Sequence, residues 1–434
     1  MVSFPRYERY KDSRVEWLGE IPEHWETLRT KNIFRLRTKV APKNNNEELL
    51  SIYSDIGVKP RKELEERGNK ASTTDGYWIV EKGDFIVNKL LAWMGAIGVS
   101  EYDGVTSPAY DILRAYKPIN NKFYHYLFRN KICLDKLKQH SKGIMEMRLR
   151  LYFDEFGKIQ LPYPPVEEQN KIAKFLDRKT EEIDRAIAHK KRLIELLEEQ
   201  KTILINQTVT KGLNPNAPMK DSGIDLLGKI PNHWELIKLG YTGYLQNGIS
   251  EGSEYFGSGY PFVNYTDVYN NPELPKQVIG LAKSSKEDRV KYSVKKGDVF
   301  FTRTSEIIEE IGIASTCLTA LENAIFSGFL IRFRPLKGLL IPNFQKYYFR
   351  AQFQRFFFTK EVNLVTRASL SQQLLKRLPV LLPPQTEQKE IAYFLDCECN
   401  KIDQAKLKTE KQIEILTELK QILIAEAVTG KIKI

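Results

Sequence analysis

The chain has 434 residues, a 42% hydrophobic and 11% aromatic composition, and a net charge of +12. This length exceeds one ordinary core, so two or three domains are expected, and the apolar content excludes a disordered chain. The basic excess suits a polyanionic partner without proving one.

The N-terminus, MVSFPRYERYKDSRVEW, lacks an apolar h-region, and no run approaches the ~20 apolar residues of a membrane span. A soluble, cytoplasmic protein is expected. The four cysteines, Cys133, Cys317, Cys397 and Cys399, form no CxxC pair. They read as reduced thiols, and no metal site is expected.

Self-comparison organises the rest. Residues 12–26 (DSRVEWLGEIPEHWE) and 221–235 (DSGIDLLGKIPNHWE) share nine of fifteen positions. Residues 164–211 align without a gap on 383–430, with 22 of 48 positions identical. Between these anchors the likeness is faint: Leu50–Ile56 resembles Phe262–Val268, and Lys82-Gly83-Asp84 recurs as Lys296-Gly297-Asp298. The similar parts do one job twice; the dissimilar parts can do two jobs on one scaffold. Drift after a duplication gives the same pattern.

In chain order, residues 1–163 read as a first globular α/β (α+β) domain. Ile79–Val87 reads as two short strands around the Lys-Gly-Asp turn, and Phe123–Phe128 as a helix on the sheet. Ile21 to Trp25 (Ile-Pro-x-His-Trp) reads as a packing element. Residues 164–211 read as a long helix: Leu176, Ile183, Leu197 and Leu204 keep a seven-residue register, with Lys190 in the missing slot. Ile172 lies near the second seam. Pro164-Pro165 sets the helix start and Gly212 caps its end.

A linker, 212–220, leads to a second globular domain, 221–382. Ile230 to Trp234 repeats the packing element, Val294–Phe301 the two short strands around the turn, and Phe344–Phe349 the aromatic helix. Residues 383–434 carry the second long helix, with Ile391, Leu395, Ile402, Leu416 and Leu423 on the seam and Thr409 in the slot. Each helix of ~43 residues is about 65 Å long by the standard rise. One such stripe cannot be buried alone. Antiparallel pairing of the two, with an internal pseudo-two-fold, is expected; docking of each on a separate partner protein is the alternative.

Signals for catalysis are sparse. Gly223–Ile230 (GIDLLGKI) lacks the final Ser or Thr of a phosphate loop, and there is no HExxH, GxSxG or Asn/Asp-Pro-Pro-aromatic motif. Binding remains: Lys and Arg for phosphates, polar side chains for base edges. Asn88-Lys89 and Thr302-Arg303 are equivalent places after the Lys-Gly-Asp strand. Arg148 and Arg367 each lie 16 residues before their Pro-Pro pair. Loop residues Lys43, Asn44, Asn45, Asn247 and Lys276 are further candidates for DNA contact.

Two divergent domains, each closed by Pro-Pro-x-x-Glu-Gln-x-x-Ile-Ala-x-Phe-Leu-Asp and a long helix, resemble the specificity subunit of type I restriction–modification systems. The motif runs through Pro164, Pro165, Glu168, Gln169, Ile172, Ala173, Phe175, Leu176 and Asp177. It recurs through Pro383, Pro384, Glu387, Gln388, Ile391, Ala392, Phe394, Leu395 and Asp396. The resemblance implies two target recognition domains, each reading one half of a bipartite double-stranded DNA site. It implies paired helices that set the gap and dock two modification (methyltransferase) subunits, and restriction subunits in the full complex. It implies no catalysis and no cofactor here: S-adenosylmethionine, ATP and Mg belong to the partners. It gives residues 1–11 no place. The other readings are an enzyme acting alone and a coiled-coil scaffold that does not touch DNA.

Overall fold

The computed structural model describes residues 4–63, 74–144, 149–361 and 368–434. They divide into two compact units, Met1–Lys191 with Glu410–Ile434, and Arg192–Thr409. Each unit contains a globular domain and one stretch of both long helices.

In the first unit, a four-stranded antiparallel sheet has the order Phe34–Arg37, Tyr110–Ala115, Phe85–Asn88, Ile97–Val99. Side chains alternate across it, as strand geometry requires. Phe85, Val87 and Leu113 face one core, with the helix Asn121–Phe128 and Ile172, Leu176 and Ile183 of the first long helix. Ile86 and Ile112 face a second, smaller core with Leu50, Ile52 and Val58. That outer lobe is built on the hairpin Leu50–Tyr53/Gly57–Pro60 and the pair Trp78–Val80/Gly104–Thr106.

The second unit repeats the frame. Its sheet has the order Gly243–Asn247, Leu330–Pro335, Val299–Thr302, Ala314–Thr316. Val299 and Phe301 face the helix Pro342–Tyr348 and Ile391 and Leu395. Phe300 faces outward with Val263, Val268 and Phe326. The outer lobe differs in kind. Phe256–Val263 pairs antiparallel with Leu281–Ala282 and parallel with Ile325–Phe326, and short helices Tyr265–Tyr269 and Lys286–Lys291 complete it.

The long helices run Val166–Lys211 and Gln385–Val428. Gly212 and Gly430, both at φ +73°, end them in the left-handed conformation that spares a Cβ. Within the first unit Asp184 meets Lys420 Nζ at 2.6 Å, and Lys190 Nζ donates to Gln412 Oε1 at 2.6 Å. Within the second, Lys201 Nζ meets Asp403 at 2.6 Å, and Lys406 meets Glu198. In each unit the partner's number falls as the other rises, so the pairing is antiparallel.

The seam residues are not uniformly buried. Ile172, Leu176, Ile183, Ile391, Leu395 and Leu423 are buried among the domain cores. Leu204 and Leu416 are half-buried against those cores. Leu197 and Ile402 are half-buried and join neither cluster. Near the middle of each helix, polar pairs such as Lys190–Gln412 and Lys201–Asp403 take over from apolar contact.

The two short strands expected around the first Lys-Gly-Asp turn are present, Trp78–Val80 joining Gly104–Thr106 and Phe85–Asn88 joining the main sheet; the second turn needs a correction. Before Gly297, Val294 makes only an isolated bridge to Leu321: the helix Lys286–Lys291 runs up to Tyr292, and Ser293 stands where the first domain has Ile79, so no apolar strand can precede it. The N-terminal segment also acquires a place. Phe4 packs edge-on against Phe175 with centroids 5.5 Å apart, and Lys433 N–H donates to the Pro5 carbonyl at 2.8 Å.

Candidate nucleic-acid interface and the clasp beneath it

Each repeated motif residue has a partner in its own domain. The Glu168 carboxylate accepts from Trp25 Nε1 at 3.0 Å, bonds His24 Nε2 at 2.8 Å, and accepts from the Tyr7 hydroxyl. Glu387 accepts from Trp234 Nε1 at 2.9 Å and bonds His233 Nε2 at 2.8 Å. Both indoles are fully buried while both imidazoles stay half exposed, so the Ile-Pro-x-His-Trp element is a packing device with a polar rim.

Gln169 accepts from the Asn120 N–H at 2.8 Å and donates to the Pro164 carbonyl at 2.8 Å. Gln388 accepts from the Ile341 N–H at 2.9 Å and donates to the Pro383 and Leu339 carbonyls at 2.9 Å. These amides tie the start of each long helix to the start of the aromatic helix. Asp177 accepts from the Tyr126 hydroxyl at 2.8 Å and pairs with Lys122 at 2.9 Å. Asp396 accepts from the Tyr347 hydroxyl at 2.7 Å and pairs with Lys346 at 2.6 Å. Burial, reinforced by the adjacent carboxylates, pushes both phenols well above their ordinary range.

The Lys-Gly-Asp turns are anchors too. Gly83 and Gly297 stand at φ +93° and +91°, a conformation that favours glycine. Buried Asp84 takes Arg114 Nε at 2.7 Å and Arg37 Nη1 at 2.9 Å. Buried Asp298 takes Arg334 through two bonds of 2.6 Å. The Arg37 and Arg114 guanidinium groups also hold the Glu81 carboxyl down at about 2.

On this frame the candidate contact residues fall into three groups. Asn88 is buried, and its Oδ1 accepts from the Leu90 and Leu91 N–H groups at 3.0 and 3.3 Å. Thr302 is buried as well. Its hydroxyl donates to the Glu310 carbonyl at 2.6 Å and accepts from the Ile313 N–H at 2.8 Å. These side chains shape their loops from inside.

Lys89, Arg303, Asn45 and Asn247 are tied but nearer the surface. Lys89 Nζ lies 3.3 Å from Asp111 and 3.1 Å from the Pro108 carbonyl, and Arg303 donates to the Gly328 carbonyl at 3.2 Å. Asn45 donates to the Pro42 carbonyl at 2.9 Å, and Asn247 accepts from Gln372 at 2.9 Å. Lys43, Asn44 and Lys276 are exposed, Asn44 in the left-handed conformation at φ +54°. Arg148 and Arg367 lie outside the described residues.

The backbone nevertheless brings the two candidate segments of each domain together. The Leu151 N–H donates to the Lys89 carbonyl at 2.8 Å, and the Leu370 N–H donates to the Arg303 carbonyl at 2.7 Å. In the second domain the contact extends as a ladder, Thr304 opposite Ser369 and Ser305 opposite Ala368. Thus the strand after each Lys-Gly-Asp turn is joined to the segment that follows Arg148 or Arg367. Sequence spacing alone did not show this junction.

Among the described residues, no cluster of three His, Cys, Asp or Glu could hold a metal ion, and no helix is long and apolar enough to cross a membrane. Cys133, Cys317 and Cys399 are buried free thiols, and burial pushes the first two up to about 12.

Comparison with known proteins gives the same architecture. The family model described as type I restriction modification DNA specificity domain matches residues 22–199 and again 232–416. The MjaVIII specificity subunit of Methanocaldococcus jannaschii is 24% identical over 446 residues, covering 100% of this chain and 98% of that protein. The EcoKI specificity subunit of Escherichia coli is 24% identical over 330 residues, covering 74% and 68%. A chain solved in a study of complex assembly and conformational transition of the type I R-M system superposes with a TM-score of 0.71 at 17% identity, over 94% of this chain and 98% of that one. The HsdS subunit from Thermoanaerobacter tengcongensis gives a TM-score of 0.58 at 16% identity, over 95% and 98%.

Proposed function

Because this chain belongs to the type I restriction–modification DNA specificity family, we propose how its parts divide the recognition of a DNA target. Each outer lobe, with the loop junction at Lys89 or Arg303, reads one half of a bipartite site. The long helices hold the halves at a set spacing and offer their exposed faces to two modification subunits. The chain carries no catalytic group and binds no cofactor. Methyl transfer and ATP-driven steps, with S-adenosylmethionine, ATP and Mg, fall to the partners, and the complex works in the cytoplasm.

One observation carries this reading: two equivalent frames present two outer lobes of different construction. A protein that reads two unlike half-sites needs that combination. Phosphate contacts from lysines and arginines supply affinity, and lobe side chains supply base selection.

The test is methylation mapping of DNA from cells expressing this chain with its modification subunit. A motif of two unlike halves separated by a fixed gap is expected. Removing about two turns, roughly seven residues, from both long helices shortens the gap and leaves the half-site letters alone. A single contiguous motif, or letters that change with helix length, overturns the reading.

A further inference from the structure

Arg129 and Arg350 were not singled out by any sequence pattern. Each directly follows a phenylalanine at the end of the aromatic helix, Phe128 as its last residue in one domain and Phe349 just past Tyr348 in the other. Among the described residues, neither guanidinium forms an ion pair. Arg129 donates to the carbonyls of Ser54 at 2.7 Å, Asp55 at 3.0 Å, Tyr53 at 3.3 Å and Gly95 at 2.8 Å. Arg350 donates to the carbonyls of Ala314 at 2.6 Å, Val268 at 2.8 Å and Tyr269 at 2.9 Å.

The geography is the same in both. One acceptor lies at the edge of the main sheet: Ala314 within the edge strand, and Gly95 in the turn two residues before the edge strand Ile97–Val99. The others belong to the outer lobe: the turn of the hairpin in the first domain, the short helix Tyr265–Tyr269 in the second. Three residues before each arginine, Tyr126 and Tyr347 bond the long helix through Asp177 and Asp396. A single short helix therefore holds the long helix with a phenol and the outer lobe with a guanidinium. The carbonyls come from the faintly repeated stretch Leu50–Ile56 in one lobe and from the end of its counterpart, Phe262–Val268, with Tyr269 in the other. That stretch is a hairpin turn in one lobe and a short helix in the other, yet its contact with the arginine is kept, as a common registration point requires.

We propose that Arg129 and Arg350 are positioning residues, each fixing the angle of its outer lobe on the long helix and so the sharpness with which that domain reads its half-site. The guanidinium suits the task because its planar fork aims several N–H donors at once, where an ammonium on a flexible stem offers a point charge. This inference rests on the reading that the two domains recognise DNA halves.

The experiment uses the full chain assembled with its modification subunit. Arg129→Lys and Arg350→Lys are the principal variants, since they keep the charge. Arg129→Gln and Arg350→Gln form a second series. The readout is the methylated motif and the rate of methylation on oligonucleotides carrying single changes in either half. For the Arg129 variants, discrimination between right and wrong letters falls by about tenfold or more at one half-site only, with the other half and the gap unchanged. The Arg350 variants mirror this at the other half. Equal loss at both halves, or a slower reaction with letters still fully discriminated, overturns the proposal. If the unaltered complex itself reads a single contiguous motif, the functional reading fails instead, and the two failures are distinguishable.

Discussion

The inner faces of the two sheets are nearly interchangeable, while their outer faces carry different lobes. Phe85 and Val87 point inward in one, Val299 and Phe301 in the other, and both meet an aromatic helix and a long helix. Outward, Ile86 meets a two-stranded hairpin, whereas Phe300 meets a mixed sheet and a short helix. A strand's alternation makes this possible, since each face can be filled without consulting the other. The frame is constrained by two long helices that must be met in the same way twice. Beyond the strand residues they cover and the carbonyls they offer Arg129 or Arg350, the lobes are free to differ.

The strongest test of the equivalence of the frames lies at the tryptophans. Trp25→Ala and Trp234→Ala should each cost about 3–5 kcal/mol, because each removes a fully buried indole from a core and leaves a carboxylate short of a donor. Denaturant unfolding of the full chain should show similar losses for the two. A difference of more than about 2 kcal/mol between them breaks the claim that the frames are energetically alike.

Acid should distinguish the domains. His125 is packed under the sheet edge, where an added Cβ on Gly98 would lie 2.9 Å from its Nδ1. Burial, with the nearby Arg129 charge, holds its imidazole down at about 4, against an ordinary value of 6.5. The unfolded chain then binds the proton more readily, so stability is full above about pH 6.5 and is lost as pH falls toward 4, by about 3 kcal/mol. Lys346 occupies the equivalent helical position in the second domain, paired with Asp396, so no such loss is expected there. Hydrogen exchange from pH 7 to 4.5 should show the first domain loosening first, and His125→Gln should flatten that difference. Equal loosening of both domains would count against it.

The smallest effect belongs to the pairs between helices. Lys201→Ala and Lys420→Ala each remove one bridge between partly exposed groups, worth about 0.2–1 kcal/mol and weaker in high salt. Matching small values in low salt would extend the likeness of the two units to the helices. A loss above about 2 kcal/mol for either would mark a pair that the other unit does not match.

Much of the frame was legible in the sequence because it depends on local signals that occur twice. The Pro-Pro starts, glycine ends, heptad register and aromatic helices are all patterns over a few residues. The clasp was only half legible. Glu168 and Trp25 both stand out as repeated, yet nothing in a linear pattern joins residues 143 positions apart. Asn88 and Thr302 show the opposite difficulty. Their polar type suits a base edge, but residue type does not reveal burial, and both serve their own loops. Arg129 and Arg350 went unnoticed because their partners are carbonyls, which every residue carries.

The clasp has a consequence for how such a chain changes its target. Glu168, Gln169 and Asp177 meet one domain with the bonds by which Glu387, Gln388 and Asp396 meet the other. A domain excised at its Pro-Pro boundary takes with it the indole, the backbone N–H at the start of its aromatic helix and the phenol that a new host helix would grip. A transplanted domain would thus bring the partners that the receiving helix already uses for these three bonds.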